Sequence, residues 1–141
     1  MCKKQIYEYM DNQNHPRITD IEGVKSLLIN DLNDCEERAK IIVDVEVEIT
    51  EEYITDKKFK IGNIEFTQNV YLNFKQEKEI SLTFNNVLFT ESLYVQDTKK
   101  MHSLFLNNVT IKESLIISSL ELSNKLFIDA DSNIKNLFNC V

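Results

Sequence analysis

Five carboxylates crowd one short stretch of this sequence: Asp44, Glu46, Glu48, Glu51 and Glu52. Paired carboxylates can act as general acid and base, but only when both converge on one reacting bond. Adjacent residues of an extended chain point to opposite sides, so Glu51 and Glu52 make a poor acid–base pair. The spacing suits recognition better. Alternate side chains of a strand lie about 6.6 Å apart on one face, near the interval between successive phosphates of a nucleic acid strand. A row of Asp44, Glu46 and Glu48 would offer that pattern to a basic groove on another protein. The competing reading is an ordinary solvated strand face.

Other chemistry is sparse. His15 and His102 are the only histidines. They are far apart in sequence, and neither is accompanied by a serine or cysteine nucleophile motif. Asp129 and Asp131 would share one strand face, but they lack the glycine turn and further ligands of a calcium loop. Cys2, Cys35 and Cys140 form no zinc spacing. They read as reduced thiols, with Cys140 as a candidate cross-link between chains. No phosphate-binding glycine loop, dinucleotide fingerprint or zinc-protease motif occurs. The expectation is a protein without catalytic residues, metal or cofactor.

The elements that must carry these residues can be read from periodicity. Residues 3–10 suit a short helix. Thr19 and Glu22 have capping-box spacing, and Ile21, Val24, Leu27, Leu28 and Leu32 follow at helical intervals, predicting a helix over residues 20–32. The period then drops to two: Val43, Val45, Val47 and Ile49 alternate with Asp44, Glu46 and Glu48, predicting one half-buried strand with a wet, acidic face.

From Phe59 onward, apolar pairs recur as broken triplets: Phe59-x-Ile61, Ile64-x-Phe66, Val70-x-Leu72, Leu82-x-Phe84, Val87-x-Phe89, Leu93-x-Val95, Leu104-x-Leu106, Val109-x-Ile111, Leu115-x-Ile117, Leu120-x-Leu122 and Leu126-x-Ile128. Above them lies a longer repeat. Gly62-Asn63-Ile64 aligns with Asn85-Asn86-Val87 at an offset of 23, and that with Asn107-Asn108-Val109 at 22; Glu-Ser-Leu recurs at 91–93 and 113–115. Self-similarity at this period marks stacked coils. The predicted fold is mainly β with an N-terminal helical cap: a short β-solenoid of three to four coils, about four faces per coil. Residues 1–58 would form the cap and 59–141 the repeat, in one compact unit. The rival is an antiparallel meander or sandwich with an N-terminal helix, the Asn-Asn pairs serving as hairpin turns. Leu120-x-Leu122 would occupy a position where earlier coils bulge outward.

The triplet with two inward apolar residues resembles bactofilins, and the multi-faced coil with Asn or Ser before the inward residue resembles pentapeptide-repeat proteins. Both are right-handed β-helices; bactofilins polymerise end to end, and some pentapeptide-repeat proteins imitate duplex DNA. The likeness covers roughly residues 59–130 and implies architecture, carrying no functional residue with it.

The net charge is −7 over 141 residues, with 14 acidic and 8 basic residues in the first 58. Nothing supplies a basic footprint for phosphates, so direct nucleic-acid binding is disfavoured. Neither a transmembrane stretch nor a secretory segment is read from the sequence, which predicts a cytoplasmic protein. The expected function is non-catalytic binding: a small acidic inhibitor that occupies a basic nucleic-acid site on a partner protein, as in counter-defence by a phage or mobile element. The alternative is a structural subunit that dimerises or polymerises through solenoid ends, using Ile134, Leu137, Phe138 and Val141.

Overall fold

The computed structural model describes residues 17–30, 40–54, 58–74, 80–96, 101–118 and 126–139. The helix expected at 3–10, the triplet at 120–122, His15, Val141 and all three cysteines lie outside the described residues.

The chain is a parallel β-solenoid. Its elements are β1 (Arg17–Ile18), α1 (Ile21–Asn30), β2 (Ile41–Val43), β3 (Val47–Ile49), a 3-10 turn (Glu51–Tyr53), β4 (Lys58–Phe66), β5 (Val70–Asn73), β6 (Ile80–Phe89), β7 (Leu93–Gln96), β8 (Met101–Ile117), β9 (Leu126–Ile128) and β10 (Asn133–Asn139). Every strand pairing is parallel. The stacking register is the repeat read from the sequence: Gly62 pairs with Asn85 and Asn85 with Asn107, Ile64 with Val87 and Val87 with Val109, Leu93 with Leu115. Parallel neighbours exclude the antiparallel meander.

Three strand faces of each coil lie among the described residues; the fourth face expected from the sequence falls on segments outside them. Face A holds 59–61, 82–84, 104–106 and β9. Face B holds β2, 64–66, 87–89 and 109–111. Face C holds β3, β5, β7 and 115–117. The segments closing the coil from C back to A lie partly outside the described residues. Each triplet sends its outer two residues inward, because strand side chains alternate. Phe59, Ile61, Phe66, Leu72, Phe84, Phe89, Val95 and Leu104 are all buried in one continuous core. Like stacks on like: Phe66 and Phe89 lie 5.3 Å apart with nearly parallel rings.

The A-to-B corner depends on asparagine. Asn63, Asn86 and Asn108 have φ of 61°, 59° and 51°, left-handed values that asparagine tolerates better than other side-chain-bearing residues. One such residue bends the chain, so the Asn-Asn pairs turn a corner within a coil instead of reversing a hairpin. Their side chains form a ladder along the axis. Asn86 Nδ2 donates to Asn63 Oδ1 at 2.7 Å, Asn108 Nδ2 donates to Asn86 Oδ1 at 3.2 Å, and the Asn108 amide donates to the Asp129 carboxylate at 3.1 Å.

Two expectations need correction. The alternating segment at 43–49 is two strands, β2 and β3, split by a corner at 44–46. Val43 and Val47 are buried on different faces and Val45 is only half-buried. Hydrogen bonding decides this: the Asp44 amide donates to Ile18 O at 2.8 Å, as Thr67 does to Val43 O at 3.0 Å and Thr90 to Phe66 O at 2.9 Å. The stacked coils therefore begin at β2, below Phe59. The helix cap also shifts by one residue, since Asp20 Oδ1, not Thr19, accepts from the Gly23 amide at 2.7 Å. Helix α1 contributes Val24, Leu27 and Leu28 to the solenoid core. Among the described residues, no helix is long and apolar enough to cross a membrane.

Candidate binding surfaces

The corner at 44–46 separates the three carboxylates expected to form one row. Asp44 is half-buried and structural: its side chain accepts a hydrogen bond from the Thr67 hydroxyl and an ion pair at 3.1 Å from Arg17. The Thr67 hydrogen bond is the main reason its carboxyl sits below the ordinary carboxylate range; Arg17 adds to it and desolvation opposes it. Glu46 is exposed at the corner, and Glu48 is exposed on the outer side of β3. The regular 6.6 Å ladder expected of a single strand is not formed.

A different acidic cluster replaces it. Thr50 caps the 3-10 turn through its hydroxyl, which accepts from the Glu52 amide at 3.4 Å. That turn leaves Glu51 half-buried and Glu52 exposed, and it buries Tyr53. Burial raises the Tyr53 phenol above its ordinary value, and the negative charges of Glu52, Glu22 and Glu48 raise it further. Helix α1, which carries Glu22, packs against the turn that carries Glu52 and Tyr53, and β3 with Glu48 immediately precedes that turn. Glu22 was not anticipated as part of a surface, because its sequence position reads as a capping residue.

The outer side of face C continues upward from this cluster. In register stand Glu48, Tyr71, Tyr94, Ile116 and Phe138. The rings of Tyr71 and Tyr94 stack with centroids 4.8 Å apart. Tyr71 is raised above the ordinary phenol range, first by desolvation, then by the charge of Glu46 and by Tyr94. Exposed Glu91 and Glu113 each lie two residues before a buried leucine, on the corner bordering the same face. The result is an aromatic stripe with a carboxylate rim and an acidic foot. A cation can meet both the face of a tyrosine ring and a carboxylate there. The sequence signal for the stripe was available, as the middle residue of each face C triplet.

The remaining candidates do not assemble. His102 is exposed, with Nδ1 3.4 Å from Ser103 Oγ, while that hydroxyl donates to Ser81 Oγ at 2.9 Å. Asp129 ties the last coil together: its carboxylate accepts from the Ser132 hydroxyl at 2.7 Å and from the Asn108 amide. Asp131 is exposed in the adjoining turn. Among the described residues, no group of three His, Cys, Asp or Glu side chains could hold a metal ion. Of the self-association candidates, Ile134 is half-buried, while Leu137 and Phe138 are exposed.

Comparison with known protein families, characterised proteins and solved structures gives no match to this chain.

Proposed function

We propose that this protein is a non-catalytic binding module that occupies a basic, nucleic-acid-binding site on a partner protein. The observation that carries the reading is that Glu22, Glu46, Glu48 and Glu52 are all exposed at one end of the stack, where α1 packs against the 3-10 turn and Glu48 stands at the foot of the tyrosine stripe. Exposed carboxylates on a helix, a corner, a strand and a turn form a negative surface, which attracts and orients a basic partner. The stacked Tyr71 and Tyr94 add flat aromatic area to which lysine or arginine side chains bind. Asp44 takes no part in recognition, since its carboxylate is engaged within the fold.

The test is affinity capture on the immobilised protein, with elution by rising salt and separately by excess nucleic acid. A partner released by both is expected, because screened charge and a shared site are both required. The combined variant Glu46→Gln, Glu48→Gln and Glu52→Gln is expected to lose that partner while keeping its circular dichroism spectrum. Undiminished retention by the variant, or a partner indifferent to nucleic acid, would overturn the reading.

A further inference from the structure

The two ends of the coil stack are finished differently. At the N-terminal end, β1 pairs with β2, and α1 adds Val24, Leu27 and Leu28 to the core. At the other end, β9 and β10 pair with β8 alone, and among the described residues no strand takes up their second edge. Among the described residues that side is an open sheet edge, as are the outer sides of β1 and β3 at the N-terminal end.

The side chains say the same. Leu126, Ile128, Ile134 and Leu137 stand in register above Leu104, Leu106, Ile111 and Leu115, which are at most 1% exposed. One coil higher, Ile128 is 40% and Leu137 53% exposed, and on the outer side Phe127 is 50% and Phe138 51% exposed. Apart from Ile21, these four are the exposed large apolar side chains among the described residues. A patch of this kind at a sheet edge marks a docking surface.

The occupant must satisfy two demands at once. It must offer a strand edge to the unpaired backbone, and an apolar cross-section matching that of the coil. A helix or a small apolar ligand meets only the second. A coil of the same section meets both, and a second copy of this chain presents that coil. Charge points the same way. The acidic cluster of Glu22, Glu46, Glu48 and Glu52 lies at the far end, whereas the last described coil carries Asp129, Asp131 and Lys135. Asp129 there is engaged by the Asn108 amide and the Ser132 hydroxyl. Two copies meeting at this coil keep their acidic ends farthest apart.

We infer that the β9–β10 coil is a self-association surface through which two copies join end to end in a closed, two-fold dimer. Closure follows from burial: at the opposite end Ile18, Val47 and Ile49 are buried and α1 adds its apolar face to the core, so the exposed apolar patch exists at one end only and two copies must share it. Phe138 ends the row that begins with Tyr71 and Tyr94, but the acidic cluster lies at the other end of the stack, and neither reading depends on the other.

Sedimentation of the full chain over a wide concentration range tests this. A monomer–dimer equilibrium with nothing larger is expected. Leu137→Glu should weaken the dimer by at least about a hundredfold, because each two-fold contact buries the leucine twice. Gln68→Glu, at an exposed mid-stack corner, should leave it unchanged. Amide exchange in β10 of the unaltered chain should slow as concentration rises, which reads the same surface without any substitution. A monomer throughout the range, assemblies that grow without limit, or a Leu137→Glu dimer of unchanged affinity would each overturn the inference.

Discussion

Asn86 does two jobs at one position. It bends the chain at a φ of 59° and links the coils on either side, donating to Asn63 and accepting from Asn108. These contributions can be separated. Asn86→Gly keeps the bend and loses the ladder, with an expected cost of about 1 kcal/mol for exposed hydrogen bonds. Asn86→Ala loses the ladder and also strains the left-handed backbone, adding roughly 1–2 kcal/mol. Urea unfolding of both variants should therefore rank alanine below glycine. The Asn-Asn-Val repeat made this corner visible in the sequence, because residue identity there is dictated by the backbone. Asp44 was not legible in the same way. Its role comes from Thr67, 23 residues later and directly above it, so its engagement appears only once the stacking is known.

The elements are short, and their stability comes from stacking rather than length. Phe89 lies flat against Phe66 at 5.3 Å and edge-on to Phe84 at 5.3 Å, with no exposed surface. Phe89→Ala is expected to cost about 3–5 kcal/mol, because parallel coils leave little freedom for neighbours to collapse into the cavity. Thermal or urea unfolding will measure it. Phe84 and Phe89 belong to triplets whose inward pairs could be read directly. The first coil could not, since Val43, Val45, Val47 and Ile49 satisfy the period of a flat strand equally well. The distinguishing signal was the 23-residue offset from Ile41-x-Val43 to Ile64-x-Phe66 and from Val47-x-Ile49 to Val70-x-Leu72, the pairs that stack. Alternation is a local property, and register against a neighbour outweighed it. The acidic cluster was legible only in part for a related reason: Glu46, Glu48 and Glu52 are close in sequence, whereas Glu22 arrives on a helix whose placement no local pattern specifies.

For the molecule as a whole, two carboxylates tie the fold together, one near each end of the stack. Asp44 joins Arg17 and Thr67 near the first coil, and Asp129 joins Asn108 and Ser132 in the last. Both carboxyls are held below their ordinary range, Asp44 chiefly by the Thr67 hydroxyl and Asp129 chiefly by the Ser132 hydroxyl. A depressed folded-state pKa stabilises the fold above the unfolded value of about 3.9 and loses that contribution as pH falls through the folded one. Unfolding free energy should thus decline below about pH 4, and the Asp44→Asn, Asp129→Asn double variant should show a shallower decline in urea titrations across pH. The parallel stacking has a consequence for biogenesis. Every coil lies on the one that precedes it in the chain, so no strand waits for a distant partner still to be made. Folding can keep pace with the ribosome, each newly emerged turn crystallising on a finished seed, much as a layer is added to a growing face. At every moment of synthesis the nascent molecule carries one advancing front, and each strand laid down becomes the template for the next.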